Sequence, residues 1–129
     1  MMPLQKDIAY LILRLSFGLS MVFAHGLPKL NNYSNLMNSF PDPLGLGNSL
    51  SLGLAIFAEV FCAALVTLGL YTRIAAANLL ITMLVAVFIF HASDPWAKME
   101  LGFLYATAYV VLMLTGAGKL SLDRILRKR

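Results

Sequence analysis

The sequence contains little charge and a single cysteine. Of its 129 residues only 12% are charged, whereas soluble domains average roughly 25%. Residues of the set AVILMFWYC make up 60% of the chain, and a soluble fold of this size cannot bury that much apolar surface. Because Cys62 is the only cysteine, an intramolecular disulfide, a CxxC redox pair and a cysteine-rich metal site are excluded. The composition also excludes a disordered chain and a nucleic-acid-binding domain, and it favours a membrane protein.

Four stretches are long and apolar enough to cross a bilayer, whose hydrocarbon core requires about 20 helical residues. They fall at about residues 8–27, 50–71, 74–92 and 95–117, and the most apolar part of the last is 101–117. None has the polar face that a helix on the surface of a soluble bundle needs. The sequence therefore predicts an all-α fold, an integral membrane four-helix transmembrane bundle, formed by a single domain over residues 1–129.

The connections predict how the helices follow one another. The second and third are separated by a few residues, which predicts a tight antiparallel hairpin with Thr72 as the N-cap of the third helix. Asp94 and Pro95 are predicted as the N-cap and first residue of the fourth helix. Residues 28–49 are rich in Asn, Pro and Gly and are predicted to form the only long loop.

The distribution of Lys and Arg predicts the orientation, since cytoplasmic segments of membrane proteins carry an excess of these residues. With a cytoplasmic N-terminus, the external loops hold only Lys29 and Lys98. The cytoplasmic side then holds Lys6, Arg73, Lys119, Arg124, Arg127, Lys128 and Arg129. We therefore expect both termini in the cytoplasm.

Ionisable side chains inside the spans are the first candidates for function, because each costs about 2.5 to 3.5 kcal/mol to insert. Glu59 lies near the middle of the second helix, where it either forms part of a site or joins two helices by a hydrogen bond. We expect Arg14 to extend its side chain to the cytoplasmic interface. Asp7, Arg14 and His25 are 7 and 11 residues apart and share one helix face with Gly18. That face is expected to contact protein.

Helix direction groups several of these side chains in one half of the bundle. Side chains lean toward the N-terminus of their own helix, so His25 and His91 lean into the membrane from the outer side and Glu59 leans toward them. The sequence predicts an outer-half pocket lined by His25, Glu59 and His91 under the long loop. Three further residues are predicted at its rim: Lys29, Lys98 and Glu100.

The predicted separation decides which contacts are expected in this pocket. His25 and Glu59 are expected roughly 10 Å apart along the bundle axis, which suits a water molecule or a small polar head group. Arg14 leans the opposite way, so a direct ion pair between Arg14 and Glu59 is disfavoured. Cys62 is predicted to be structural, because it lies in an apolar span without a second thiol.

Cofactor motifs are scarce. Two histidines on different helices are able to clamp a haem, but the sequence has no other haem feature. It also lacks a flavin, nicotinamide or iron-sulfur motif. No metal, haem or flavin is therefore predicted, and redox chemistry would require a bound quinone or a partner chain.

The chain resembles the DoxX family of small four-helix membrane proteins over nearly its whole length. The first-helix motif is carried by Arg14, Gly18, His25, Gly26, Lys29 and Leu30. The later matches, in order, are Glu59, Leu68 to Arg73, His91, Lys98, Glu100, Leu104, Tyr105 and Gly116 to Asp123.

The resemblance implies a location in the bacterial cytoplasmic membrane and a redox role. Family members are described as components of membrane oxidoreductases, and relatives include the small subunit of thiosulfate:quinone oxidoreductases. A quinone and other membrane protein subunits are therefore the expected partners, with Glu59, His25 or His91 as candidate catalytic residues. Relatives linked to thiol chemistry require paired cysteines, which this chain lacks.

Two other functions stay open. Some relatives are accessory proteins, which leaves a non-catalytic scaffold or accessory subunit of a larger membrane complex as the alternative. A transporter is less favoured, because neither broken helices nor an internal repeat is evident in the sequence.

Overall fold

The computed structural model describes residues 3–127, so Lys128 and Arg129 of the basic tail lie outside the described residues. Every regular element in this range is a helix. Four helices are long and apolar enough to cross a membrane. They are named the first to the fourth span in chain order: Leu4–Asn31, Asn48–Leu68, Thr72–Phe90 and Trp96–Thr115. The predicted all-α, four-helix integral membrane bundle is confirmed.

The bounds of the spans differ from the predicted ones by one to four residues, and two of the differences change the connections between spans. The first span continues past residue 27 to Asn31, and a short helix, Tyr33–Leu36, follows it. The predicted long loop is therefore helical at its start, and the irregular part begins after Leu36. The second span ends at Leu68 and not at residue 71, because Gly69 adopts the left-handed conformation with φ 72° that commonly ends a helix.

Three of the four spans contain a π-helical segment. These segments are Met21–Gly26, Phe57–Cys62 and Ala86–Phe90. The flanking α-helical parts are Pro3–Ser20, Leu27–Asn31, Asn48–Ile56, Ala63–Leu68 and Thr72–Val85. The fourth span is α-helical throughout, and a C-terminal helix runs over Leu122–Arg127. π-helical turns are rare in proteins, and those that occur are frequently found at functional sites. These three segments therefore mark their surroundings for closer study.

The spans pack closely through small side chains. Ala63, Ala76 and Tyr109 are completely buried where the spans meet. Large apolar side chains such as Phe23, Ile81 and Leu114 are exposed on the outside of the bundle, where lipid would cover them. This distribution is that of a membrane bundle, in which small residues allow close helix contact.

The two ends of the bundle are built differently. The terminal end, as we name it, holds the start of the first span, the turn at Gly69 and the C-terminal helix. The loop end holds the segment from residue 32 to 47 and the short connection from 91 to 95. The antiparallel hairpin predicted for the second and third spans is present at the terminal end.

Arg14 closes the terminal end. Its side chain is only 2% exposed, and its guanidinium donates to the carbonyl oxygens of Val66 at 3.2 Å and Thr67 at 3.4 Å. It also donates to the carbonyls of Ala117 at 2.7 Å and Leu120 at 3.0 Å. The expected extension of Arg14 to the interface is therefore wrong. The last carbonyls of a helix lack intrahelical hydrogen-bond donors, and Val66 and Thr67 lie at the end of the second span. The N–H groups of the guanidinium provide donors to their carbonyls from inside the bundle.

The face shared by Asp7, Arg14 and Gly18 contacts protein, as predicted. Asp7 is buried and accepts a hydrogen bond from the backbone N–H of Lys119 at 3.0 Å. At Gly18 a Cβ atom would lie 2.2 Å from Oγ1 of Thr67, so only glycine allows the first and second spans to approach this closely.

Neither predicted N-cap is correct. The N–H groups of Tyr71 and Thr72 are bound by the carboxylate of Asp123, at 2.8 and 3.2 Å. The Thr72 hydroxyl is buried without a hydrogen-bond partner among the described residues. The fourth span begins at Trp96, with Pro95 at the cap position and no side-chain cap. The carboxylate of Asp123, distant in sequence, thus binds the N–H groups at the start of the third span in place of a Thr72 cap.

We expect Arg14→Met to lower the free energy of unfolding by roughly 3 kcal/mol, because buried carbonyls lose a charged donor. The quantity is measured by thermal or denaturant unfolding in mild detergent. Lys6→Met is the control, since Lys6 is exposed at the same end. Equal stability of the two variants would contradict a structural role for the Arg14 contacts.

Gly26 provides a second test of packing. A Cβ atom there would lie 2.5 Å from the backbone oxygen of Glu59, whereas one at Gly53 would meet nothing within 4 Å. We therefore expect Gly26→Ala to destabilise the bundle by about 1 to 3 kcal/mol through overpacking, and Gly53→Ala to leave the thermal midpoint unchanged or slightly raised. A Gly26→Ala protein as stable as the Gly53→Ala protein would refute the close contact.

Candidate functional site

A cavity of about 530 Å³ opens between the spans at the loop end. Its lining includes five of the residues predicted for the pocket: His25, Lys29, Glu59, His91 and Lys98. Glu100 is exposed and does not line the cavity. Because it lies two residues after Lys98 on an α-helix, its side chain falls on a different face. The structure thus brings five of the six predicted residues to one cavity.

The long loop covers this cavity. Its apolar residues Phe40, Pro41, Pro43 and Leu44 contribute to the lining. Apolar atoms of a ligand in the cavity would contact these residues.

Asp42 holds the loop in place. Its carboxylate accepts hydrogen bonds at 2.8 Å from the N–H groups of Leu46 and Gly47 and from the hydroxyl of Ser51. The Ser51 hydroxyl and these backbone N–H groups lower the pKa of Asp42, because they favour its charged form. Asp42 was not among the predicted residues, although an Asp followed by Pro and Gly is a known turn signal.

Glu59 forms an ion pair with Lys29. Nζ of Lys29 lies 2.6 Å from Oε1 of Glu59, and the two side chains are 25% and 5% exposed. The same ammonium group donates to the backbone oxygen of His25 at 3.4 Å. Lys29 lies one turn after His25 on the continued first span, so the extra turn of helix carries its amine down to the carboxylate. The sequence predicted Lys29 only at the rim and missed this pair.

No ion pair joins Arg14 to Glu59 among the described residues, as expected, because the Arg14 guanidinium is held by carbonyls at the other end of the bundle. An unpaired Glu59 carboxylate would be costly to bury in the membrane, and the Lys29 ammonium compensates its negative charge.

The two histidines occupy different surroundings. His25 lies in the π-helical segment of the first span, and its ring meets Tyr105 edge-on with 5.5 Å between ring centroids. His91 follows the π-helical segment of the third span directly, and its Nδ1 lies 2.7 Å from Oδ2 of Asp94. Asp94, predicted as a helix cap, therefore orients His91 instead.

The rest of the cavity wall is mainly apolar, with Met21, Ala58, Val87 and Tyr105 among its residues. Three of its lining residues, Leu54, Phe57 and Ile81, are between 48% and 60% exposed on the outside of the bundle. They belong to the second and third spans, so the cavity reaches the lipid-facing surface between these two helices.

The arrangement offers a defined set of chemical groups. Lys29 supplies a hydrogen-bond donor, and Glu59, His25 and His91 are able to exchange protons with a bound ligand. Cys62 is buried within one turn of Glu59 but is absent from the cavity lining. None of these side chains carries electrons by itself.

Comparisons with known proteins identify relatives. A protein of Haemophilus influenzae described as an uncharacterized protein is 29% identical over 136 residues, covering 99% of this chain and 89% of its own. No solved structure matches the chain. The family model named DoxX matches residues 9–92, which include most of the first span and all of the second and third, with His25, Lys29, Glu59 and His91. The chain therefore belongs to the DoxX family.

Proposed function

We propose that this protein is the membrane component of a quinone-linked oxidoreductase and holds the quinone head group in the cavity at the loop end. One observation carries the proposal: the cavity combines an ion pair, between Lys29 and Glu59, with apolar walls that open to lipid. Ligand sites typically show this combination of apolar lining and few polar groups.

The size and chemistry of the cavity fit such a ligand. Its volume of about 530 Å³ lies within the range of roughly 300 to 1,000 Å³ that is usual for small-molecule sites. The carbonyl oxygens of a quinone ring require hydrogen-bond donors, and Lys29 and His25 are available. An isoprenoid tail requires a route into the bilayer, for which the opening beside Leu54 and Ile81 is suited.

The proposed chemistry is proton exchange. Reduction of a quinone to a quinol takes up two electrons and two protons, and Glu59 and the two histidines line the cavity as candidate proton donors. The electrons would come from a partner subunit, which makes the chain one component of a larger enzyme. Lys29 would bind and orient the head group, and His91 would be kept in position by Asp94.

A non-catalytic scaffold or accessory subunit is the second candidate. The observation in its favour is that three of the ionisable groups facing the cavity already have partners: Lys29 pairs with Glu59, and His91 pairs with Asp94. In this case the ion pairs would join the spans, and the cavity would be filled by a lipid chain or by a partner helix.

Quinone binding separates the two candidates. We expect Glu59→Gln and His91→Ala each to weaken binding of a short-chain quinone to the purified protein roughly tenfold, since each removes an interaction with a polar head group. Binding is measured by isothermal titration in detergent, and thermal midpoints are recorded for every variant.

Glu100→Gln is the matched control, because it makes the same chemical change at the same end but outside the cavity. It is expected to leave quinone affinity unchanged. Lowered thermal stability of Glu59→Gln and His91→Ala with unaltered quinone affinity would reject the quinone site and support the scaffold.

We also propose that both termini lie in the cytoplasm of a bacterium, with the cavity on the outer side of its cytoplasmic membrane. The support is the Lys and Arg distribution: the terminal end carries Lys6, Arg73, Lys119, Arg124 and Arg127, in agreement with the positive-inside rule.

Cysteine labelling in a Cys62→Ala background tests this orientation. Ser34 and Arg127 are exposed at opposite ends, whereas Ser121 is buried and unsuitable. We expect a membrane-impermeant maleimide to label Ser34→Cys in intact cells and to label Arg127→Cys only after permeabilisation. Labelling of Arg127→Cys in intact cells would reverse the proposed orientation.

A further inference from the structure

A second cavity lies at the terminal end of the bundle, and the proposed quinone site lies at the opposite end. Its volume is about 170 Å³. Four of its lining residues are cationic: Arg73, Lys119, Arg124 and Arg127. The remaining lining residues are small: Thr115, Ala117 and Gly118. We name these seven residues the basic cavity.

The positive charges of the basic cavity are not neutralised by the protein. Among residues 3–127, none of the four cations lies within ion-pair distance of a carboxylate. The two nearby acids are engaged elsewhere: Asp123 binds the N–H groups that start the third span, and Asp7 binds the backbone N–H of Lys119. The cations therefore have free donors for an external anion.

The side chain of Arg73 lies beside Gly116. Gly116 adopts φ 72°, and a Cβ atom there would lie 3.2 Å from Nε of Arg73. The guanidinium thus lies directly over the turn that ends the fourth span, where a larger residue would displace it. The exposed guanidinium at this turn offers its planar donor pair to a tetrahedral oxyanion.

The surroundings of the basic cavity are those of a membrane surface. Ile74 follows Arg73 and Leu114 precedes Thr115, and both side chains are largely exposed, by 66% and 76%. On the C-terminal helix, Ile125 and Leu126 are exposed between Arg124 and Arg127. Cationic and apolar groups alternate here, as expected where a chain contacts both headgroups and acyl chains.

We propose that the basic cavity binds the phosphate group of an anionic lipid headgroup. Basic pockets at the ends of transmembrane helices recognise such headgroups through charge and through Arg–phosphate hydrogen bonds. The exposed apolar residues beside it favour a lipid over a soluble phosphate ion, because they provide contacts for the acyl chains. The proposal does not depend on the quinone site, which lies at the opposite end.

The test is lipid retention by the full-length protein in detergent, measured by native mass spectrometry during titration with phosphatidylglycerol or phosphatidylcholine. We expect phosphatidylglycerol to be retained in preference to phosphatidylcholine. Arg73→Gln and Arg124→Gln should each weaken phosphatidylglycerol binding roughly tenfold, since each removes a charged hydrogen-bond donor. Arg73→Lys, which keeps the charge but not the planar fork, should lie between wild type and Arg73→Gln.

Lys6→Gln is the matched control, because it removes one exposed positive charge at the same end outside the basic cavity. It should leave phosphatidylglycerol affinity unchanged. Equal loss in Lys6→Gln and Arg73→Gln would overturn the proposal in favour of general surface attraction, as would equal retention of both lipids. Displacement of the lipid by inorganic phosphate at equal concentration would assign the cavity to a soluble anion and also overturn it.

Thermal midpoints in lipid-free detergent show whether each variant is folded. If Arg73→Gln does not fold, Arg124→Gln gives the same test, because its guanidinium lines the same cavity from the C-terminal helix.

Discussion

The guanidinium of Arg14 supplies hydrogen bonds to carbonyls from two separate segments of the chain. Val66 and Thr67 belong to the last turn of the second span, and Ala117 and Leu120 to the segment after the fourth. A buried carbonyl without a donor costs about 1 to 3 kcal/mol, and the Arg14 guanidinium, in a residue only 2% exposed, provides donors to all four. One side chain from the first span therefore joins three spans and closes one end of the bundle.

The opposite end follows a different principle. There a cavity opens between the spans, and the ion pair of Lys29 with Glu59 and the hydrogen bonds of the Asp42 carboxylate connect the parts around it. The π-helical segments of the first and third spans lie in this half, and that of the second span lies near the middle of its helix. A π-helical turn leaves some backbone groups more weakly bonded than an α-helical turn and changes the direction of the side chains. Two of the three irregular segments thus lie in the half in which a ligand is proposed, and the third carries Glu59, which lines the cavity.

Much of this arrangement follows from the sequence by simple rules. Hydropathy predicts the four spans, and the 7- and 11-residue spacing predicts that Asp7 and Arg14 face protein. Helix direction is enough to group His25, Glu59 and His91, because the depth of each side chain in the membrane follows from its position along its helix. The same rule failed for Glu100, since depth gives no information about which face of the fourth span a residue occupies.

The partners of these residues depend on contacts between distant parts of the chain. Periodicity does not show that the first span continues through Pro28, and only this continuation brings Lys29 to Glu59. Arg14 and Asp123 bind backbone groups, which are present at every residue and leave no mark in the sequence. Local patterns therefore predicted Thr72 as the N-cap, whereas the carboxylate of Asp123, 51 positions away, binds the first N–H groups of this helix.

The contacts of Arg14 also determine the order in which the bundle can be completed. The carbonyls of Ala117 and Leu120 lie 103 and 106 residues after Arg14, so a chain inserted from its N-terminus holds this charge in the first span before its acceptors have been synthesised. Because a charged residue inside a bilayer is costly, the first span gains its full stability in the membrane only when the last segment arrives. Final closure of this protein is accordingly a late step of biogenesis that awaits the C-terminal turn.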